Sequence, residues 1–311
     1  HVFNGKIYIY PSHDIDAGDA FDDLGSHFAM EDYHVLSMES PEDKTAVDHG
    51  MALHVKDIPW ANKQLWAPDA AEKDGKFYLF FPAKGHDGIF RIGVAVSDAP
   101  TGPFIPQPEP IKNSFSIDPA VFKDDDGTYY MYFGGIWGGQ LQRWRNGTFN
   151  GLQPESPVAF LPEADEPALC AKVAKLSDDL LEFAEAPKDL VIVDDEGKPL
   201  LQGDTERRFF EASWMHKHDG KYYFSWSTGD THYLCYATGD SPYGPFTYQG
   251  RILEPVLGWT SHHSICAWKD QWYLFYHDSS LSKGITHLRS VKVTAIRYDK
   301  DGRIIPIRPY L

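Results

Sequence analysis

The sequence predicts an all-β fold, a five-bladed β-propeller, and three observations lead to this class. A turn followed by a short aromatic strand recurs along the 311 residues, and 14% of all residues are aromatic, which suits packed sheet. A second phrase, SDAPTGPF at Ser97–Phe104 and GDSPYGPF at Gly239–Phe246, also repeats. The five copies of the first phrase lie at Asn4–Tyr10, Asp74–Phe81, Asp126–Phe133, Asp219–Trp226 and Lys269–His277.

Each copy of the first phrase has the character of a β-hairpin. Asn-Gly and Asp-Gly favour the type I′ turn, which needs two residues with positive φ, and the residues that follow are aromatic or apolar. Five such hairpins, each followed by further strand-like sequence, predict five four-stranded blades. A β-sandwich is the alternative, but sandwiches rarely repeat one turn-plus-strand phrase.

One stretch departs from the repeat. Within 162–190 the letters LCAKVAKLSDDLLEFAEA place apolar residues at helix-like spacing. We therefore expect a partly helical insertion between the third and fourth blades. Since no Ser/Gly/Pro-rich linker flanks it, residues 1–311 are expected to form a single propeller domain.

Composition excludes several classes of partner. A net charge of −16 disfavours binding to nucleic acid or to an anionic membrane surface. No apolar run is long enough to span a bilayer, and the opening His-Val-Phe does not have the character of a signal peptide. Three widely spaced cysteines predict no disulfide framework. The oligomeric state, and the choice between cytoplasm and periplasm, are left open.

A shared offset marks candidate functional residues. Ionisable or aromatic residues precede the hairpin turn by six to nine positions in four blades, where the strand entering the hairpin should begin at the mouth of a central channel. Burying an unpaired charge costs free energy, so ionisable residues kept at this position indicate a functional site. Taken singly, each residue could instead cap a turn or lie at a solvated strand end. These residues are Trp66 with Asp69, Asp118, Glu211 and His262.

Carboxylates converging on one axis suit glycoside hydrolysis. A general acid protonates the leaving oxygen, while a base activates water or a nucleophile attacks the sugar directly. A further carboxylate can hold the acid protonated by like-charge repulsion. The longer side chain of Glu211 suits the acid, which must reach the glycosidic oxygen.

At these residues the sequence resembles glycoside hydrolase family 43 over nearly its whole length. The matching phrases are FNGKIYIYPSHD, DYHVLS and VDHGMAL, then LWAPDAAEKDGKFYLFF, SIDPAVFKDDDGTYYMYFGG, FEASWMHKHDGKYYFSWS, SHHSICAWKDQWYLFYHD and RSVKVTAIRYDKDGRI. The resemblance implies a five-bladed propeller, an inverting mechanism, and substrates among xylan and arabinan fragments.

The resemblance also implies roles for individual residues. Asp118 matches an aspartate that tunes the pKa of the acid, Glu211 matches the general acid, and Arg289 matches an arginine that reaches toward the sugar. His262 matches a histidine associated with bound calcium through water, so calcium is the expected cofactor.

Three functions compete at this point. The SHDID and DYHVLS phrases favour a β-xylosidase, with α-L-arabinofuranosidase or arabinanase as alternatives within the family. A non-catalytic carbohydrate-binding propeller would keep the pocket and lack the base. A structural propeller that binds protein is disfavoured by the axial carboxylates. The expected partner is therefore an oligosaccharide or polysaccharide.

The general base is the residue that the repeat does not supply. The family's base, an Asp at the start of the first inner strand, would fall about five positions before His1, so we expect it upstream of this chain. Ser12, His13 and Asp14 are consecutive and cannot converge as a catalytic triad. His13 and Asp14 are expected to contribute to substrate binding at the rim, with Asp14 a weak stand-in for the base.

Aromatic side chains complete the predicted site. Aromatic faces stack on the C–H faces of pyranose rings. Trp66 is predicted to bind substrate in this way, together with Asp69. Trp137, Trp214 and Trp259 are further candidate platforms, although each of them could instead lie in the core.

Overall fold

A computed structural model describes residues 1–259 and 262–310. In this part of the chain β-strands and four short 3-10 turns are the only regular elements, so the predicted all-β class is confirmed. The strands form five sheets arranged as the blades of a β-propeller, as the repeated hairpins predict. The 3-10 turns are Val55–Asp57, Trp137–Gly139, Leu141–Trp144 and Gly229–Thr231.

The first three blades follow one another along the chain. Blade 1 contains β1 (Val2–Phe3), β2 (Lys6–Ile9), β3 (Asp32–Met38) and β4 (Val47–His54). Blade 2 contains β5 (Ala61–Lys63), β6 (Asp69–Lys73), β7 (Lys76–Gly85), β8 (Phe90–Ser97) and β9 (Ile105–Pro106). Blade 3 contains β10 (Ala120–Lys123), β11 (Tyr129–Phe133), β12 (Ala171–Lys175) and β13 (Lys188–Leu190).

The last two blades complete the ring. Blade 4 contains β14 (Ile192–Val193), β15 (Glu211–His218), β16 (Lys221–Ser227), β17 (Leu234–Gly239) and β18 (Phe246–Leu253). Blade 5 contains β19 (His263–Trp268), β20 (Gln271–Asp278) and β21 (Ser290–Ile296). The uniform four-stranded blade is therefore wrong in detail. Blades 2 and 4 each have five strands, blade 4 through β14, which pairs in parallel with β18, and blade 5 has three strands among the described residues.

The hairpin turns have the predicted backbone. Both central residues have positive φ in three of them, as a type I′ turn requires: Asn4-Gly5, Asp74-Gly75 and Asp219-Gly220. The flanking strands pair directly across these turns, for example Lys73 with Lys76. The third hairpin differs, because Lys123 pairs with Tyr129 across a five-residue loop. The turn chemistry thus sets the register of the strand pair that begins each of these blades.

The partly helical insertion predicted for 162–190 is wrong. The segment contains no helix; instead it supplies β12 and β13, the outer strands of blade 3. Ala171 and Val173 are fully buried at period two while β12 pairs with β11, so sheet pairing overrides the local helix-like spacing. The connection between β11 and β12 instead carries the 3-10 turns at Trp137–Gly139 and Leu141–Trp144.

Apolar side chains close the ring between its first and last blades. Ile7 and Met38 of blade 1 pack with Phe275 of blade 5 in one buried cluster. Trp268 and Val293 of blade 5 cover the same cluster. This cluster therefore joins the first blade to the last.

Candidate active site

Two cavities lie along the channel. The first, here called the Glu211 cavity, is lined by residues that include Asp118, Glu211, Trp66 and Trp137. The second, the Asp69 cavity, includes residues in or just ahead of the strands that enter the hairpins of several blades, such as Asp69, Pro119 and Trp214. Residues lining both cavities are Ser12, Ala67, His262 and Arg289.

Asp118 lies just ahead of β10 in an unusual backbone conformation. Its φ is +57°, in the left-handed region that few non-glycine residues adopt. The side chain is 3% exposed, and its Oδ2 accepts a hydrogen bond at 2.9 Å from the backbone N–H of Ala212. This bond joins the start of blade 3 to the start of blade 4 and fixes the carboxyl of Asp118 beside Glu211.

Glu211 begins β15 at a β-bulge. The register between β15 and β16 shifts between Glu211 and Trp214, and Ala212 has φ of +65°. Bulges of this kind redirect a side chain next to a functional site. Gly135 makes room for the result, because a Cβ added there would lie 3.2 Å from the Cβ of Glu211. Within the described part of the chain, Oε1 of Glu211 is buried and has no hydrogen-bond partner.

Both carboxyls have raised pKa values, and the charge of Asp118 contributes to the shift of Glu211. Burial raises the pKa of Asp118 to about 7, although the Ala212 N–H and the Arg289 charge act in the opposite direction. Burial also raises the pKa of Glu211 well above its ordinary value, and the charge of Asp118 raises it further. A carboxylic acid that keeps its proton near neutral pH is a suitable general acid.

Arg289 is held by Asp14. The carboxylate of Asp14 accepts hydrogen bonds from the backbone N–H, Nε and Nη2 of Arg289, at 2.7, 2.8 and 2.5 Å. The guanidinium also lies over the ring of Phe28, 4.9 Å from its centroid. Asp14 is therefore a partner of Arg289, which fixes the cation at the wall shared by both cavities.

Aromatic rings form much of the wall of the Glu211 cavity. Trp137 and Trp259 stack with ring centroids 5.8 Å apart. Trp66 is only 9% exposed, and its Nε1 donates a hydrogen bond to the carbonyl of Phe28 at 2.8 Å. The ring of Trp66 is thus fixed as a wall of the cavity. Its role as a sugar platform stays a prediction.

Sequence reasoning missed the long connection between β2 and β3. This segment supplies Phe21, Asp22, Asp23, His27 and Phe28 to the wall of the Glu211 cavity. Phe21 is 70% exposed, and its ring stacks on His27 at 4.3 Å. The segment carries neither the repeat nor a periodic pattern. The signal in the sequence that could have indicated this wall is Phe21, an aromatic residue in a loop rich in aspartate.

Asp69, predicted to bind substrate, faces the other cavity. Its Oδ1 lies 2.6 Å from Nε2 of His1, and its Oδ2 accepts a hydrogen bond at 2.6 Å from the N–H of Val121. Trp214 lines the same cavity and donates its Nε1 hydrogen to the carbonyl of Ile265. The shared offset therefore places Asp69 and Glu211 along one channel but in different cavities.

His13 lies outside both sets of lining residues, although its neighbours Ser12 and Asp14 line the Asp69 cavity. Its Nδ1 lies 2.6 Å from Oδ1 of Asp32 at the start of β3. A direct contact of His13 with substrate stays a prediction. The same holds for the general base expected ahead of His1.

His262 satisfies one requirement of the predicted calcium site. Burial and the Arg289 charge lower the pKa of His262 to about 4, so its imidazole is neutral near pH 7 and able to bind a cation. The carboxylates of Asp14 and Asp69 in the adjoining cavity already accept hydrogen bonds. Because calcium prefers oxygen ligands, the residues would suit an ion held near His262 mainly by water.

A propeller with a buried, proton-holding carboxyl pair in a cavity walled by aromatic side chains defines a carbohydrate-active site. The sequence profile described as glycosyl hydrolases family 43 matches residues 45–158 and 170–304. The chain belongs to this family, and it is a glycoside hydrolase. The resemblance of its blade phrases to that family is thereby confirmed.

Close relatives agree with the assignment. The chain is 62% identical over 307 residues to a xylosidase/arabinosidase from Bacteroides ovatus, covering 99% of this chain and 93% of the relative. It is 57% identical over 309 residues to a β-xylosidase from Xylanibacter ruminicola, covering 99% of this chain and 95% of the relative.

No helix in residues 1–259 and 262–310 has the length and apolar character needed to cross a membrane.

A solved structure superposes closely on the propeller. It is CoXyl43, a family 43 β-xylosidase/α-arabinofuranosidase from a compost microbial metagenome, solved in complex with xylotriose in a calcium-free form. The TM-score is 0.97 at 63% identity, covering 100% of this chain and 93% of that one.

Proposed function

We propose that this chain is a β-xylosidase that removes xylose from xylooligosaccharides, with Glu211 as the general acid. The observation that carries the proposal is the buried carboxyl of Glu211, whose Oε1 lacks a partner and whose pKa is raised. Such a group holds a proton that it can deliver to a glycosidic oxygen. The names of the relatives from Bacteroides ovatus and Xylanibacter ruminicola support xylose as the sugar that is released.

Asp118 tunes and positions the acid. Its charge raises the pKa of Glu211, and its bond to the N–H of Ala212 fixes the backbone beside the acid. It needs no contact with the scissile bond to act in this way. Arg289, held by Asp14, supplies a fixed positive charge at the same cavity and limits how far the pair's proton affinity rises.

The experiment compares 4-nitrophenyl β-D-xylopyranoside with 4-nitrophenyl α-L-arabinofuranoside and with xylotriose. We expect the enzyme, in a form that contains its general base, to turn over the xyloside and to release xylose from xylotriose. Activity on the arabinofuranoside alone would overturn the choice of sugar. Weaker turnover of the arabinofuranoside is a second reaction of the same site, which the double names of the relatives favour.

Stereochemistry tests the mechanism separately. An inverting reaction on a β-xyloside releases α-xylose as its first product, because water attacks the face opposite the leaving group. Proton NMR during the first turnovers distinguishes the two anomers before they equilibrate. Initial release of β-xylose would contradict the inverting mechanism.

The proposal includes a calcium ion near His262, bound by the neutral imidazole and by water. In this position the ion would supply positive charge near the channel and hold the shared wall in place. Removal of divalent ions by a chelator should lower the melting temperature, and readdition of calcium should restore it. The His262→Ala variant should lose this response. An unchanged melting temperature in the wild-type protein would contradict the site.

A further inference from the structure

A second group of possible ligands lies on blade 1, away from the carboxyl pair. His13 belongs to the connection after β2, and Asp32 and His34 belong to β3. One ligand atom from each of these three residues lies within 4.8 Å of the other two. All three residues are partly buried, and none of them lines the Glu211 cavity or the Asp69 cavity.

The distance between His34 and Asp32 suits a shared ion. Nε2 of His34 lies 3.6 Å from Oδ2 of Asp32, too long for a good hydrogen bond. Two ligand atoms about 2.0–2.2 Å from a tetrahedral zinc ion lie about 3.3–3.6 Å apart. The imidazole rings of His13 and His34 are tilted by 32° with centroids 4.0 Å apart, and Nδ1 of His13 lies 2.6 Å from Oδ1 of Asp32, a direct contact that a bound ion would replace.

Asp48 orients His34 from behind. Both of its carboxylate oxygens lie 3.0 Å from Nδ1 of His34. This contact places the proton on Nδ1 and leaves the Nε2 lone pair directed toward Asp32. A carboxylate behind a ligating histidine is the usual support of a metal-bound imidazole, because it fixes the tautomer and the ring.

We infer that His13, Asp32 and His34 form a binding site for a divalent transition metal such as zinc, with Asp48 as its supporting carboxylate. Two imidazoles and one carboxylate suit zinc, which accepts nitrogen and oxygen ligands. This site is distinct from the proposed calcium position, since His262 lies on the channel and calcium prefers oxygen.

The site would fasten the segment that walls the Glu211 cavity. His13 and Asp32 bracket the connection that carries Phe21, His27 and Phe28. An ion bound to both would join the two ends of this connection. Asp14, the neighbour of His13, holds Arg289 through three hydrogen bonds. An ion that fixes His13 would therefore also restrict Asp14 and, through it, the Arg289 side chain at the cavity wall.

Calorimetric titration of the full chain tests the inference. Zinc is added to chelator-treated protein that has been resupplied with excess calcium, so that oxygen-preferring sites are filled. We expect one zinc ion per chain at micromolar or tighter affinity, and a rise in melting temperature. Cobalt(II) placed in the same site should give the visible absorption bands of a low-coordinate ion.

Variants locate the ion. His34→Gln should weaken zinc binding by about 100-fold or more, and Asp48→Asn by about 10–100-fold, the range seen when the partner behind a metal ligand is removed. His86→Gln is the matched control, because His86 is an exposed histidine in another blade. Circular dichroism without metal checks that each variant folds, and Asp48, whose side chain is 55% exposed, tolerates replacement.

Three results would overturn the inference, and the first two concern the affinity for zinc. One is the absence of zinc binding by the wild-type chain. The other is an affinity that stays unchanged in both His34→Gln and Asp48→Asn. Loss of binding only in His262→Ala would likewise reject it, because the ion would then lie in the channel.

Discussion

The Glu211 cavity and the Asp69 cavity share Arg289 and His262, and their volumes are similar at about 170 and about 150 Å³. Their carboxyls nevertheless differ. Asp69 accepts a backbone N–H and contacts His1, whereas Glu211 has a buried oxygen without a partner among the described residues. Size and position along the channel therefore do not distinguish the two cavities. The proposed function assigns the reaction to the cavity with an unsatisfied carboxyl beside a second carboxyl, because such a carboxyl can hold a proton for transfer.

Replacing the unsatisfied carboxyl should have the largest effect. Glu211→Gln cannot donate a proton, so kcat on xylotriose should fall by about 10²–10⁴-fold, the typical contribution of a general acid. Turnover of an aryl xyloside with an activated leaving group should fall less, since that group departs without a proton. Parallel steady-state kinetics on both substrates make the comparison, and equal losses would remove Glu211 from the role of acid.

Removing the neighbouring charge should have the next largest effect. In Asp118→Asn the pKa of Glu211 should fall, because the charge of Asp118 contributes to raising it. The alkaline limb of the pH profile of kcat/KM should then move to lower pH, with a loss of about 10-fold or more at pH 7. An alkaline limb that stays in place would show that burial alone sets the proton affinity of Glu211.

Replacing Asp14, which holds Arg289 at the wall shared by both cavities, should have an effect of intermediate size on activity. Asp14→Asn weakens the hydrogen bonds that hold Arg289. Because part of a charge-assisted contact is then lost, we expect KM for xylotriose to rise by about 3–10-fold. If Asp14 were the general base, kcat would instead fall by about 10²-fold or more with little change in KM. The split between kcat and KM therefore decides which role Asp14 has.

Replacing Asp69, whose carboxyl has hydrogen-bond partners, should lower the stability and change kcat little. Asp69→Asn disturbs the bonds to His1 and Val121, which should cost about 1–3 kcal/mol of unfolding free energy. kcat should remain within about threefold of wild type, because Asp69 does not line the Glu211 cavity. Denaturant unfolding and kinetics on one sample separate the two effects. A catalytic loss as large as that of Glu211→Gln would erase the difference between the cavities.

The pH dependence of stability should show the smallest effect. The folded protein raises the pKa of Asp118 from 3.8 to about 7, so it holds a proton that the unfolded chain releases. This contribution to stability is greatest below pH 4 and declines as pH rises to 7. Asp118→Asn removes this titrating carboxyl and should flatten the decline. Melting temperatures across this pH range measure the slope, and an unchanged slope in the variant would contradict the raised pKa of Asp118.

Local chemistry made much of the propeller predictable. Asn4-Gly5 and Asp74-Gly75 favour type I′ turns through their own backbone preferences, and the structure contains those turns. The common offset from such turns to Glu211 and Asp118 follows from strand length. It predicts both residues at the beginning of the strand that enters a hairpin; in the structure Glu211 begins β15 and Asp118 lies just ahead of β10.

The segment 162–190 and the separation of the two cavities required the tertiary structure. The apolar spacing of 162–190 fits a helix locally, but pairing with β11 and burial of Ala171 and Val173 determine strands. The wall residues Phe21 and Phe28 lie in a connection without periodic pattern, so only packing places them at the cavity.

The five hairpins, the all-β class and, in four blades, the residues near the beginning of the strand that enters the hairpin follow from the local sequence, because turn preference and alternation act over a few neighbouring residues. The tertiary structure decided which carboxyl lacks a partner, since the partners of Asp69 and Asp118, Val121 and Ala212, lie in other blades. Proton affinity depends on burial and on charges from several blades at once, and these exist only when the ring has closed.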